Sequence, residues 1–164
     1  MRSSCRVLRR GRAQLSVDAG EALLSRYNTT GSASDLDEAI AAFEQAQSSS
    51  ALAYALRGRY ELTGSLGDLD QAIVWGRRSL DDAPAGVAAR ASRLNNLGVA
   101  LHARFEETHD PDDLAAAIDP LRGAADAAPP GSADEAAHRS NLGGALLDSW
   151  KLDGELDLLL DGAR

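Results

Sequence analysis

"DLDEAI" (35–40), "DLDQAI" (68–73) and "DLAAAI" (113–118) write nearly the same six letters three times within 164 residues. The segments that lead into them match as well: "GEALLSRYNTTGSASDLDEAI", "AYALRGRYELTGSLGDLDQAI" and "GVALHARFEETHDPDDLAAAI". A fourth, degenerate copy reads "GGALLDSWKLDGELDLLL" near the C-terminus. Equivalent aromatics fall at Tyr27, Tyr60, Phe105 and Trp150, spaced 33, 45 and 45 residues apart. About seven positions earlier stand the small residues Gly20, Ala53, Gly98 and Gly143. Recurrence on this scale is the signature of stacked structural repeats.

Each copy parses into two helices. Leu94, Leu97, Leu101 and Phe105 lie at i, i+3, i+7 and i+11, one apolar stripe. After the polar break "EETHDPD", Leu114, Ala117, Ile118, Leu121 and Ala124 mark a second stripe. Gly31 and Gly64 sit where a helix end wants a left-handed residue. Asp35 with Glu38, and Asp68 with Gln71, have the spacing of a capping box, which predicts that the hexapeptide opens the second helix. Asp110-Pro111 with Asp113 carries the same signal with proline at the first helical position, and Ser132 with Glu135 opens a helix in copy four. A carboxylate at a helix start satisfies free N–H groups and suits the dipole, so Asp35 and Asp37 read as a helix start rather than a metal or acid–base pair. Glycine inside a helix costs roughly 1 kcal/mol against alanine, so Gly98 and Gly143 imply close approach of a paired helix.

Composition agrees with an all-α chain. Hydrophobic residues make up 44% and aromatics 4%, leaving alanine and leucine to fill the core. Lys151 is the only lysine among 17 basic residues. Residues 1–12, "MRSSCRVLRRGR", hold five arginines and no acid, so the net charge of −8 understates the acidity of the remainder. That acidic body argues against nucleic-acid binding. Residues 1–11 read as a basic N-terminal tail, too poor in apolar residues for a signal peptide. No apolar run approaches the ~20 residues of a membrane span, and the single cysteine, Cys5, excludes an internal disulfide. A cytoplasmic protein with no membrane contact is the expectation.

The residues resemble tetratricopeptide repeats. Leu97-Gly98, Leu101, Ala117, Leu121, Ala124 and Pro129 follow that family's order of small and large packing positions. Copy one offers Ala39, Phe43 and Ala46; copy two has Ala72, Gly76, Ser79 and Pro84. The longer phrase "LNNLGVALHARFEETHDPDDLAAAI" resembles the helical repeats that actinobacterial proteins carry ahead of a CHAT-type peptidase domain, whose catalytic His and Cys have no counterpart here. The resemblance implies a right-handed superhelical array of about four helix-turn-helix units over residues 12–164, at 12–47, 48–84, 85–129 and 130–164. Copy one joins copy two through "QSSSALAYAL", about 12 residues shorter than the later links, so the second unit's first helix should be short by roughly three turns.

Such arrays bind with the first helix of each unit. By the resemblance the lining positions are Gln14, Asp18, Glu21, Tyr54, Arg57, Asn95, Asn96, Val99, His102, Ser140, Asn141 and Asp148. Asn96 and Asn141 are equivalent positions, and an amide there can both donate and accept toward an extended peptide or hold a neighbouring helix in register. His102, Glu106 and His109 suggest metal ligands, but His109 falls in the break and no fourth ligand is evident, so no metal or cofactor is expected. No nucleophile–base pair is apparent, and no enzyme activity is expected. Arg26, Arg59 and Arg104 recur before the aromatics, as stems over the rings or cations at a helix end. The expected function is a protein-interaction scaffold for a peptide or partner domain, with self-association through its uncapped ends. The alternative is a sensor fragment that binds a small ligand for an effector domain elsewhere.

Overall fold

The computed structural model describes residues 2–82 and 86–162, and the side chains of 11–82, 86 and 88–154. Seven α-helices and no strand occur among the described residues. They fall into two compact units, Met1–Asp82 and Ala83–Arg164. The first holds α1 (Arg2–Thr30), α2 (Ala33–Ala46), α3 (Ser49–Thr63) and α4 (Leu66–Asp81). The second holds α5 (Val87–Thr108), α6 (Pro111–Ala127) and α7 (Ala133–Gly162). None of these helices is long and apolar enough to cross a membrane.

In the first unit α1 pairs with α2 and α3 with α4, and α2 packs on α3. Leu36, Ala39, Ile40 and Phe43 of α2, Leu52, Ala53, Ala55 and Leu56 of α3, and Leu69, Ala72 and Ile73 of α4 form its core. In the second unit α5 pairs with α6, and α7 packs on α6 and touches α5. Its core is Ala91, Leu97, Ala100 and Leu101 of α5, Leu114, Ala117, Leu121, Ala124 and Ala125 of α6, and Ala145 of α7. The stripes expected from the sequence are the buried ones, with Leu94, Phe105 and Ile118 half-buried at their margins. Burial of alanine lets helices approach closely, and the glycines take this further. A methyl group on Gly98 would stand 2.5 Å from Leu121 Cγ and 3.1 Å from the Ala117 carbonyl oxygen, and one on Gly20 would stand 2.5 Å from the Phe43 ring. At Gly143 the expectation fails: nothing lies within 4 Å, because no described helix covers that side of α7.

Three of the helix pairs turn through the same corner. The sequences are "RYNTTGSASD" (26–35), "RYELTGSLGD" (59–68) and "RFEETHDPDD" (104–113). A left-handed residue ends each first helix, with φ of 70° at Gly31, 69° at Gly64 and 58° at His109. The threonine before it closes the helix end. Thr30, Thr63 and Thr108 donate to the carbonyls of Arg26, Arg59 and Arg104 at 2.9, 2.8 and 2.8 Å. Each threonine oxygen also accepts from the backbone N–H two residues on, at 3.3, 3.2 and 3.3 Å. These bonds occupy polar groups that a helix terminus leaves unpaired.

The capping box expected at Asp35 and Asp68 is not what forms. The second helices begin three residues earlier, with Ser32 and Ser65 as N-caps. Ser65 accepts from the Asp68 N–H, and at the third corner Asp110 caps with Pro111 at the first helical position, as expected. The aspartates inside the first turn instead hold the recurring arginines. Arg26 donates through Nε and Nη2 to Asp35 at 2.5 and 2.5 Å, and Arg59 to Asp68 at 2.9 and 2.6 Å. Arg104 donates through Nε to Asp113 at 2.7 Å and through Nη2 to its other oxygen. Planar two-point pairing of this kind fixes orientation as well as distance. It holds the Asp35 carboxyl below the usual carboxylate range, chiefly through the Arg26 hydrogen bonds, and raises the Arg59 guanidinium through Asp68.

Two further expectations hold and one does not. α3 is 15 residues long against 22 for α5, so the helix is short as expected, by about two turns rather than three. Ser132 accepts from the Glu135 N–H at 3.1 Å while Glu135 reaches back to the Gly131 N–H at 2.5 Å, opening α7 as expected. Copy four, however, has neither the threonine nor the left-handed residue, and α7 runs unbroken to Gly162 as one helix rather than two. α1 includes residues 2–11 of the basic segment; the side chain of Cys5 and all of Pro84 lie outside the described residues.

Candidate functional site between α5 and α7

The residues expected to line a binding surface divide between the two units. On α1, Asp18 and Glu21 are exposed, and Gln14 donates to Asp18 at 2.8 Å. On α3, the Arg57 guanidinium lies 5.6 Å above the Tyr54 ring and pairs with Glu61 on the same helix. These contacts are local to one helix each. Ser140 is exposed on α7, and Asn96 and Val99 are half-buried on α5.

The second unit brings four of the expected residues together in pairs. Asn141 Nδ2 donates to Asn95 Oδ1 at 2.9 Å, and His102 Nε2 stands 2.9 Å from Asp148 Oδ2. Both contacts link α5 to α7, and on each helix they lie seven residues apart. Two residues separated by seven share one helix face, so the contacts form two polar rungs along the same seam. The matching direction of numbering shows that α5 and α7 run parallel. Asn141 thus spends its amide on holding the register of α7 against α5, and its partner is Asn95 rather than the equivalent Asn96.

The lower rung opens onto a cavity of about 360 Å³ lined by Phe105, Glu106, His109, Asp148, Lys151 and Leu152. Local packing sets the His102 ring. It lies nearly parallel to Phe105, centroids 6.4 Å apart, and a methyl group on Gly144 would stand 3.5 Å from its Cε1. A larger residue at 144 would press on the ring. Asp148 is shared: Oδ2 faces His102, while Oδ1 accepts from Lys151 Nζ at 2.9 Å. Lys151 first and His102 second hold the Asp148 carboxyl below its usual range. His102 and Asp148 keep only 16% and 25% of their side-chain surface exposed, and Asp148 is the one of the two that lines the cavity.

Of this cluster the sequence suggested His102 and Asp148 as surface positions, and Glu106 and His109 as ligand types. Lys151 had no expected role. Its spacing of three from Asp148 on one helix was the available signal. His109 is the left-handed residue of the third corner, and the turn that ends α5 carries its ring to the cavity wall. Comparison of the chain with protein-family models, with curated proteins and with solved structures finds no match.

Proposed function

We propose that this chain is a tetratricopeptide-like interaction module, non-catalytic, that engages a helical segment of a partner protein. One observation carries the reading. By the 45-residue offset, Gly143, Leu146 and Trp150 of α7 occupy the positions of Gly98, Leu101 and Phe105 of α5. On α5 that side is packed, with Leu101 only 1% exposed and Gly98 beneath Leu121. On α7, Leu146 is 42% and Trp150 72% exposed, and Gly143 faces open space. Large apolar side chains clustered on one exposed helix face mark interaction surfaces. The occupant that fits has the character of α6, an amphipathic helix with a leucine–alanine stripe.

The test is affinity capture with the wild-type chain and with Leu146→Ser/Trp150→Ser, after both show the same helical circular dichroism and melting temperature. A partner held by the wild type and lost from the variant supports the reading, and light scattering on the same samples reveals whether that partner is a second copy. Identical captures by the two baits refute it. A ligand-sensing role is the second reading, favoured by the cavity that His109, Glu106, Asp148 and Lys151 line.

A further inference from the structure

The α5–α7 seam carries a donor set that a scaffold role leaves unused. His102 and Glu106 are four residues apart on α5 and share a face. Asp148 comes across from α7. One ligand atom of each lies within 4.8 Å of the other two. The contacts of Asp148 with His102 and Lys151 account for only part of this arrangement. Lys151 Nζ bonds Asp148 Oδ1, while a carboxylate oxygen of Glu106 lies within 4.8 Å of an Asp148 oxygen. Two carboxylates at that range repel, and a shared cation reverses the sign.

We propose that His102 Nε2, a Glu106 carboxylate oxygen and Asp148 Oδ2 bind a divalent transition-metal ion of the zinc class. Nitrogen and oxygen donors sit about 2.0–2.2 Å from zinc, which puts donor pairs roughly 3–3.5 Å apart. His102 and Asp148 are already at 2.9 Å. Glu106 is exposed, so a rotamer change brings its oxygen in without moving the backbone. The metal takes the place of the proton between His102 and Asp148, and Lys151 keeps hold of Asp148 through Oδ1. The imidazole selects against magnesium and calcium, which prefer all-oxygen shells. Three protein ligands leave a fourth position, open to the cavity, for water or an added ligand. This site stands independently of the interaction surface on α7.

The experiment uses the full chain, stripped with a chelator and titrated with Zn²⁺ against a chromogenic chelator, then with Co²⁺ read by its visible spectrum. The expected result is one ion per chain at micromolar affinity or tighter, with Co²⁺ bands of a four-coordinate centre. His102→Ala and Glu106→Gln should each weaken binding by at least about tenfold, the range seen when a ligand or its support is lost. Glu106 is exposed, so Glu106→Gln leaves the fold intact even if His102→Ala loosens the seam. Asp119→Asn, an exposed acid on α6, should bind like wild type. Absence of saturable Zn²⁺ binding overturns the proposal. So does binding that Glu106→Gln leaves unchanged, since the donor set then lacks one of its three members.

Discussion

Gly98 and Gly143 are equivalent in sequence and opposite in structure, and alanine should stabilise at Gly143 but not at Gly98. Both lie inside helices, so Gly→Ala gains about 1 kcal/mol of helix propensity at either site. At Gly143 nothing lies within 4 Å of the new methyl group, and that gain stands alone. At Gly98 the methyl would fall 2.5 Å from Leu121 Cγ and 3.1 Å from the Ala117 carbonyl oxygen. Carbon atoms rest about 3.5–4.0 Å apart, so α5 and α6 must separate by roughly 1 Å or Leu121 must leave its rotamer. Leu121 is fully buried and has nowhere to go. Overpacking of this kind costs about 1–3 kcal/mol. Gly143→Ala should therefore stabilise by about 1 kcal/mol, and Gly98→Ala should be neutral to about 2 kcal/mol destabilising. The propensity gain is common to both, so the difference between the variants isolates the contact at about 1–3 kcal/mol. Urea unfolding followed by far-ultraviolet circular dichroism gives this difference as a shift of midpoint at constant m. Equal effects of the two substitutions, in either direction, would refute the close approach of α5 and α6 at Gly98.

The arginine–aspartate corners supply further predictions. Asp113→Ala leaves a part-buried Arg104 without its two-point acceptor and should cost about 1–3 kcal/mol, whereas Asp119→Ala on the same helix should stay within about 0.5 kcal/mol, since both partners there are exposed. Comparable losses in the two variants would deny the corner its role. The Asp35 carboxyl is depressed in the folded state, so its contribution is complete above the ordinary carboxylate value of about 4 and is lost as pH falls below it. Asp35→Asn should therefore melt lower than wild type at pH 7, with the gap closing in acid; a gap that stays constant down to pH 2 would exclude the linkage.

The helix pairs were legible because their apolar stripes are long and regular. Leu97 and Leu101, then Leu114, Ala117 and Leu121, are apolar in sequence and buried in the structure for one reason, the 3.6-residue period. The helix starts were displaced by three residues at Asp35 and Asp68. Their true first turns, "ASD" and "LGD", do not yet follow the stripe, and an aspartate before an apolar run has the appearance of a cap. The third corner was placed correctly because Pro111 marks its own position. Arginine, threonine and aspartate recur at fixed spacing in all three copies, but only a folded corner shows that the first two meet through a carbonyl and the outer two through a carboxylate. The seam was hidden for a related reason. Alignment equates residues 45 apart, whereas neighbouring parallel helices touch across facing sides, and those contacts fall 46 apart at Asn95–Asn141 and His102–Asp148. Equivalence and adjacency are different relations, and sequence reports the first.

The corners also settle which dimension of each hairpin is free to vary. A joint that fixes two helices at one end, through its own threonine and its own arginine–aspartate clasp, places no demand on how far either helix runs from it. The second helices hold nearly to one length, at 14, 16 and 17 residues, while the first helices range from 15 to 22 to 29. Length therefore enters this architecture mainly as reach at the far end of the first helix, which supplies seven of the twelve residues between the two periods. A 33-residue period and a 45-residue period can then stand in one chain without a second solution to the turn. An engineer wishing to extend such a hairpin should insert helical turns upstream of the small residue at Gly98, where the joint will not register the change.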